Sequence, residues 1–376
     1  MASSASWEKK IGQLFIVGFD GLSVPSEFKK VLAKYHLGGV IYFKRNVQSA
    51  GQLAELANEL QFSCRSDGMP GMFISIDHEG GKVNRLVKPF TKFPGNDHIG
   101  DLNSPKIAFE FGAVLGKELK AVGINIDYAP VVDVNTNDKS PVIRNRAFSS
   151  DPDICAKMGS AVCRGIQKFG VMAVAKHFPG HGDTNEDSHF EMAKVSKSWE
   201  ELEALELIPF HRAIKSRVDG IMTAHILNPK LDPDYPATLS KITIQGMLRE
   251  KMRYQRIVFS DDLEMKAITK HYGADEAAVL AIQAGCDLLI YRGDNGFPEA
   301  QIAAVIRAIE SKQLDAAVVE AALRRIEFAK RSYVDVAKPV DVTSVGKEIG
   351  LNEHFKLAEI ITKKQLPADF DERSVG

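Results

Sequence analysis

Residues 176–189 read KHFPGHGDTNEDSH: three histidines, two aspartates, two glycines and a proline in fourteen positions, directly after the apolar run VMAVA. Imidazole titrates near neutrality, with an unperturbed pKa of about 6.5, so one ring can give up a proton and later take one back. An aspartate beside the ring sets its tautomer and raises its basicity. Asp187 and His189 stand in that relation, two apart in a polar loop. Pro179, Gly180 and Gly182 form a turn that neither continues a strand nor begins a helix. His177, His181, Asp187 and His189 are also all conceivable zinc ligands, but their spacing is neither HxH nor HExxH. A phosphate cradle would want more glycines and a helix directly after them. No metal and no cofactor are expected.

Two further stretches carry ionisable residues at the ends of apolar runs. In IVFSDDLEMKAI (257–268) the run closes on Ser260, Asp261 and Asp262. A carboxylate there can serve as nucleophile or base, and an aspartate in that place can equally cap the following helix; one can act while its neighbour caps. In SIDHEGGKVNRLVKPFTKFP (75–94), Asp77 ends a run, Gly80 and Gly81 let the backbone turn, and Arg85 follows eight residues on, where an Asp–Arg ion pair is one simple reading.

The elements that must hold these residues recur along the chain. Short apolar runs lie at 14–19, 38–43, 72–77, 124–130, 171–177, 220–225, 257–262 and 287–293. Each is rich in β-branched or aromatic residues, as suits a strand buried on both faces. Amphipathic helical patterns separate most of them, for example SAGQLAELANELQFSC and PEAQIAAVIRAIESKQ. Eight strand–helix units point to an α/β fold, a (β/α)8 barrel of the TIM type. A doubly wound sheet is the alternative, but no GxGxxG follows the first strand. In such a barrel the C-terminal ends of the strands form the active face. There this chain places Asp20, Asp77, Glu79, Asp127, Asp133, Lys176, His177, His225, Asp261, Asp262 and Arg292. Residues 8–335 are assigned to a single catalytic barrel domain. Residues 336–376 form a C-terminal extension with one more helical stretch, 351–365, and a polar end expected to be mobile.

The 376 residues are 44% hydrophobic and 26% charged, with a formal net charge of −1. That balance argues against nucleic acid or an anionic membrane as partner. The four cysteines are scattered, which argues against a disulfide framework. The opening MASSASWEKK has no apolar signal core, so a cytoplasmic protein is expected, and a monomer.

Taken together, DHEGG with its following arginine, KHFPGHGDT running on to DSH, FSDDLEM at 259–265 and NRAFSSDP at 145–152 resemble glycoside hydrolase family 3. The similarity is to its NagZ-type β-N-acetylglucosaminidase branch and extends over about residues 8–335. It implies a retaining β-N-acetylglucosaminidase that releases terminal β-linked N-acetylglucosamine from peptidoglycan-derived muropeptides or chitin oligosaccharides. By position, Asp261 is the implied nucleophile, and His189 the implied acid/base with Asp187 as its partner. Asp77, Arg85, Arg146, Lys176 and His177 are implied to hold the sugar, with His225 and Met265 lining the site. Arg256 stands where the family usually has glycine, at the end of its strand away from the active face. The alternatives are another family 3 β-glycosidase, a phosphorylase acting on the same sugar, and a sugar-binding barrel that has lost catalysis.

Overall fold

A strand covered by neighbours on both faces has no polar side, so its sequence is apolar without alternation. Each of the eight apolar runs contains such a strand in the computed structural model, which describes residues 4–66, 68–184, 191–335 and 338–372. They are β1 Phe15–Val17, β2 Gly39–Tyr42, β3 Phe73–Ile76 and β4 Ile126–Asp127. β5 Met172–Phe178, β6 Gly220–Thr223, β7 Ile257–Asp262 and β8 Leu288–Tyr291 complete the set. All pair in parallel, each with its sequence neighbours, and β8 closes on β1. The expected (β/α)8 barrel is therefore the observed fold.

β5 and β7 match their apolar runs in length, while most of the strands are shorter than theirs. The clearest case is β4, expected over 124–130 and regular only at Ile126–Asp127. Pro130 has no N–H to give to a ladder. Pairing nevertheless continues irregularly: the Val174 N–H donates to the Ala129 carbonyl at 2.9 Å, and the Val132 N–H donates to Lys176 at 2.8 Å. This keeps the chain beyond β4 against β5 and brings Asp133 up beside it.

Two departures from regular register matter more. Between β5 and β6, Ala175 pairs with Ile221 but Phe178 with Thr223, so β5 carries one extra residue at Lys176–His177. Between β7 and β8, Phe259 pairs with Leu288 but Asp262 with Ile290, so β7 carries one extra residue at Ser260–Asp261. Consecutive side chains of a regular strand point to opposite faces. A bulge breaks that alternation and lets two neighbours face the same way.

Beyond the last barrel helix, Ala316–Tyr333, the extension folds back on the barrel. Its helix Asn352–Lys363 packs on helices Asn96–Leu102 and Pro105–Ala121. The fastening is the buried carboxylate of Glu118. It accepts from the Thr91 N–H at 2.9 Å, the Thr91 hydroxyl at 2.7 Å and the Gly350 N–H at 3.0 Å, and lies 2.8 Å from His354 Nδ1. Farther along, Glu372 accepts from the Ser104 hydroxyl at 2.7 Å and the Lys106 N–H at 3.0 Å. Among the described residues no helix is long and apolar enough to cross a membrane.

Replacing Glu118 by alanine strands several buried donors at the seam between barrel and extension. The variant is expected to lose about 1–3 kcal/mol of stability in a urea titration. A smaller loss would show that the seam does not depend on this carboxylate.

Candidate active site

A cavity of about 320 Å³ opens at the C-terminal ends of the strands, near the lower end of the roughly 300–1,000 Å³ usual for small-ligand sites. The charged part of its wall is assembled from five loops and strand ends. Asp77, Glu79 and Arg85 come from the segment after β3, Arg146 from the turn Arg144–Arg146 after β4, and Lys176 and His177 from β5. Asp261, Asp262 and Met265 come from β7 and its loop, and Arg292 follows β8. Both bulges lie at this wall. Lys176 and its neighbour His177 therefore line the same cavity, as do Asp261 and Asp262.

The centre of the charge network is Glu79, whose side chain is 1% exposed. Arg146 grips both its oxygens, Nε to Oε2 at 2.9 Å and Nη2 to Oε1 at 2.8 Å. Lys176 Nζ lies 2.6 Å from Oε1 and 2.7 Å from Asp77 Oδ1. Burial alone would push the Glu79 carboxyl up; Arg146 and Lys176 reverse this and hold it well below the usual carboxylate range. Burial likewise opposes the charge on Lys176, and Asp77 and Glu79 outweigh it, so the ammonium is held more firmly than usual.

A second network holds the β5 loop. Asp133 Oδ2 lies 2.7 Å from His177 Nδ1, and the same carboxylate accepts the backbone N–H groups of His177 at 3.1 Å and His181 at 2.7 Å. His177 Nε2 in turn faces Arg146 Nη2 at 3.4 Å. His181 is turned toward Thr184, with Nδ1 and Oγ1 2.8 Å apart, and burial followed by the nearby His177 lowers its pKa to about 4. The glycines of the loop serve close approach. A Cβ on Gly182 would stand 1.6 Å from the Val134 carbonyl oxygen, and Gly180, at φ +126°, has Glu206 atoms 2.8 Å from where a Cβ would be.

Asp187 and His189 lie outside the described residues. On one side of them the chain is fixed at Thr184, buried beside His181. On the other, Glu191 pairs with Lys270 at 2.6 Å, just after β7, and Ala193–Lys194 pairs with Ile226–Leu227 after β6.

At β7, the Asp261 carboxylate accepts the Asp262 N–H at 2.7 Å. Asp262 receives the backbone N–H groups of Glu264 at 3.1 Å and Arg292 at 3.3 Å. Thus Asp262 ties the β7 loop to the end of β8 and is not the cap of the next helix, Lys266–Thr269, whose N-cap is Met265. Burial first, then the adjacent Asp261, raises the Asp262 carboxyl well above its ordinary range.

Two expectations are corrected. His225 does not line the cavity. It is wholly buried behind the wall, Nδ1 2.8 Å from the Thr238 hydroxyl and Nε2 2.9 Å from the Asp262 carbonyl, so it supports the β7 loop from behind. Asp77 pairs with Lys176, while Arg85 lies by the ring of Phe43, 6.0 Å from its centre. Asp77, Arg85, Arg146, Lys176, His177, Asp261 and Met265 do meet around the cavity.

Residues 6–328 match the glycosyl hydrolase family 3 N-terminal domain. The chain belongs to glycosyl hydrolase family 3. It is 34% identical over 335 residues to a beta-hexosaminidase A of Pseudoalteromonas piscicida, an alignment covering 82% of this chain and 55% of that protein. It is 38% identical over 264 residues to a beta-hexosaminidase of Nitrosomonas eutropha, covering 69% of this chain and 74% of the relative. The structure superposes on a family 3 β-N-acetylglucosaminidase of Paenibacillus sp. with a TM-score of 0.91 and 39% identity, covering 95% of this chain and 68% of that one.

Two residues of this family 3 site carry no role in the sequence reading. Glu79 and Asp133 both stand among the ionisable residues expected at strand ends, but nothing in their spacing names Arg146 and Lys176 as partners of the one or His177 as partner of the other. For Asp133 the available signal was a polar residue within the otherwise apolar segment APVVDV; Glu79, among polar residues and glycines, had none.

Glu79→Gln takes the paired carboxylate from Arg146 and leaves Lys176 with Asp77 alone, and is expected to cost about 3–5 kcal/mol near neutral pH. Because the folded carboxyl is depressed below its ordinary value of 4.5, that contribution is complete above about pH 4.5. It is lost as pH falls toward the folded-state value. The stability gap between wild type and variant should therefore narrow below pH 4.5 in denaturant titrations; a gap independent of pH would contradict the assignment.

Proposed function

We propose that this β-N-acetylhexosaminidase releases terminal β-linked N-acetylglucosamine by double displacement, with Asp261 as nucleophile and His189, partnered by Asp187, as general acid/base. The observation that carries the reading is that Asp261, beside the bulge of β7, opens onto the same cavity as Asp77, Arg146, Lys176 and His177. Those four groups are paired and largely buried, so they offer donors and acceptors in fixed directions, as recognition of a sugar's hydroxyl groups requires. The Asp262 N–H on Asp261 sets the orientation of the attacking carboxylate.

In the first step Asp261 attacks the anomeric carbon while His189 protonates the departing oxygen. In the second, His189 takes a proton from water, and water displaces Asp261 to regenerate the carboxylate. Two inversions give net retention. The substrates proposed are soluble N-acetylglucosamine-terminated fragments: N-acetylglucosamine linked to anhydro-muramic peptides first, chitin oligosaccharides second. A monomer in the cytoplasm remains the expected setting.

Asp261→Asn is expected to lower kcat by roughly a thousandfold or more with an unchanged thermal melt; near-normal turnover would remove Asp261 from the mechanism. His189→Ala should slow sugar-linked substrates far more than activated aryl N-acetylglucosaminides, since only poor leaving groups need the proton. An equal loss on both would make His189 a positioning residue. Running the reaction in phosphate buffer distinguishes hydrolysis, which yields the free sugar, from phosphorolysis, which yields the sugar 1-phosphate.

A further inference from the structure

Outside the buried cage the mouth of the cavity carries a different kind of chemistry. Three guanidinium groups surround the ring of Phe43, which follows β2: Arg45 at 4.8 Å, Arg292 at 5.4 Å and Arg85 at 6.0 Å from its centre. Arg85 and Arg292 both line the cavity, and so does Phe43. An aromatic face lets like-charged guanidinium groups collect because each is attracted to the ring.

The carboxylates nearby are largely committed elsewhere. Arg45 takes Asp20 at 2.6 Å and Asp294 at 2.8 Å. Arg292 must share Asp294, at 3.1 Å. Glu264 is turned to the backbone N–H groups of Gly293 and Asn295, at 2.7 and 3.1 Å. Asp262 stands 3.8 Å from Arg292 Nε, beyond hydrogen-bond distance. Depth separates this group from the sugar-holding cage: the Arg292 side chain is 40% exposed, that of Lys176 2%. A sugar seated against the cage sends its leaving group outward, past this rim.

We propose that Arg292, held over Phe43 at the mouth of the cavity, is a specificity residue that receives a carboxylate on the leaving portion of the substrate. The planar fork of a guanidinium matches a carboxylate bidentately, and the ring beneath it limits the orientations lost on binding. The preferred substrates are then N-acetylglucosaminides of acidic aglycones, in contrast to neutral oligosaccharides. This rests on the hydrolase reading given above.

The test compares two aryl N-acetylglucosaminides of matched leaving-group acidity, one bearing a meta-carboxylate and the other a meta-carboxamide. Wild type is expected to favour the carboxylate about three- to tenfold in kcat/KM at low ionic strength, the range for a half-exposed charge contact. The preference should shrink in high salt. Arg292→Gln should bring the ratio to about one, and Arg292→Lys should keep part of it. A wild-type ratio of one, or a Gln variant with the wild-type ratio, overturns the proposal while leaving the hydrolase reading intact. Turnover of neither compound by wild type overturns the hydrolase reading and this one with it.

Discussion

A carboxylate shut away from water between two cations is the interaction on which the rest of the site depends. Glu79 alone would be unstable as an anion at its depth, and Arg146 and Lys176 alone would be unstable as cations; each is tolerable because the others are present. The three side chains come from the segments after β3 and β4 and from β5, so the same charges that shape the cavity also pin three loops. The chain of contacts continues outward. Arg146 faces His177, His177 is held by Asp133, and Asp133 also grips the His181 backbone. The loop leading to residues 185–190 is thus positioned by a carboxylate three contacts removed from Glu79.

The cage needs a backbone that breaks its own rules. A regular barrel strand would turn Lys176 and His177 to opposite faces, and Asp261 and Asp262 likewise. The single extra residues in β5 and β7 allow each pair to reach the cavity together. The two strands flank β6, which is regular in its pairing up to the rim. Irregularity is confined to the strand ends, where ladder hydrogen bonds are fewest, and the closed sheet below keeps its register.

Much of this was legible from the chain alone, for a physical reason. Parallel barrel strands are apolar throughout, so the eight runs, their count and their polar ends stand out, and with them the fold and Asp77, Glu79, Lys176, His177, Asp261, Asp262 and Arg292 at the cavity; Arg85, Arg146 and Met265 came from the resemblance to the family. The bulges left no such trace, because register is a property of pairs of strands. Glu79 and Asp133 were visible as residues but not as partners, because the contacts that define them join positions 44 to 97 apart in the chain. His225 shows the converse error. A polar residue at a strand end was read as facing the site, whereas its ring turns behind the wall to satisfy Thr238 and a backbone carbonyl. Asp187 and His189 were singled out by type and spacing, and their standing rests on that and on the family.

The charge balance of the cavity also bears on why a histidine suits the acid/base role proposed for it. Asp77, Glu79, Asp261 and Asp262 already line the one cavity, with Asp133 behind His177. Two of these carboxylates are neutralised by the Lys176–Arg146 pair, and Asp262 is already driven toward its neutral form by burial and by Asp261. A further carboxylic acid would have to hold its proton against this field in one step and lose it in the next, adding repulsion to the nucleophile whenever it ionised. An imidazole avoids both conditions: its charged form is attracted to Asp261, and its neutral form adds no charge. The arrangement therefore separates the two demands on the site. In the proposed mechanism, fixed, mutually compensated charges hold the sugar, and the group that exchanges protons changes only between positive and neutral.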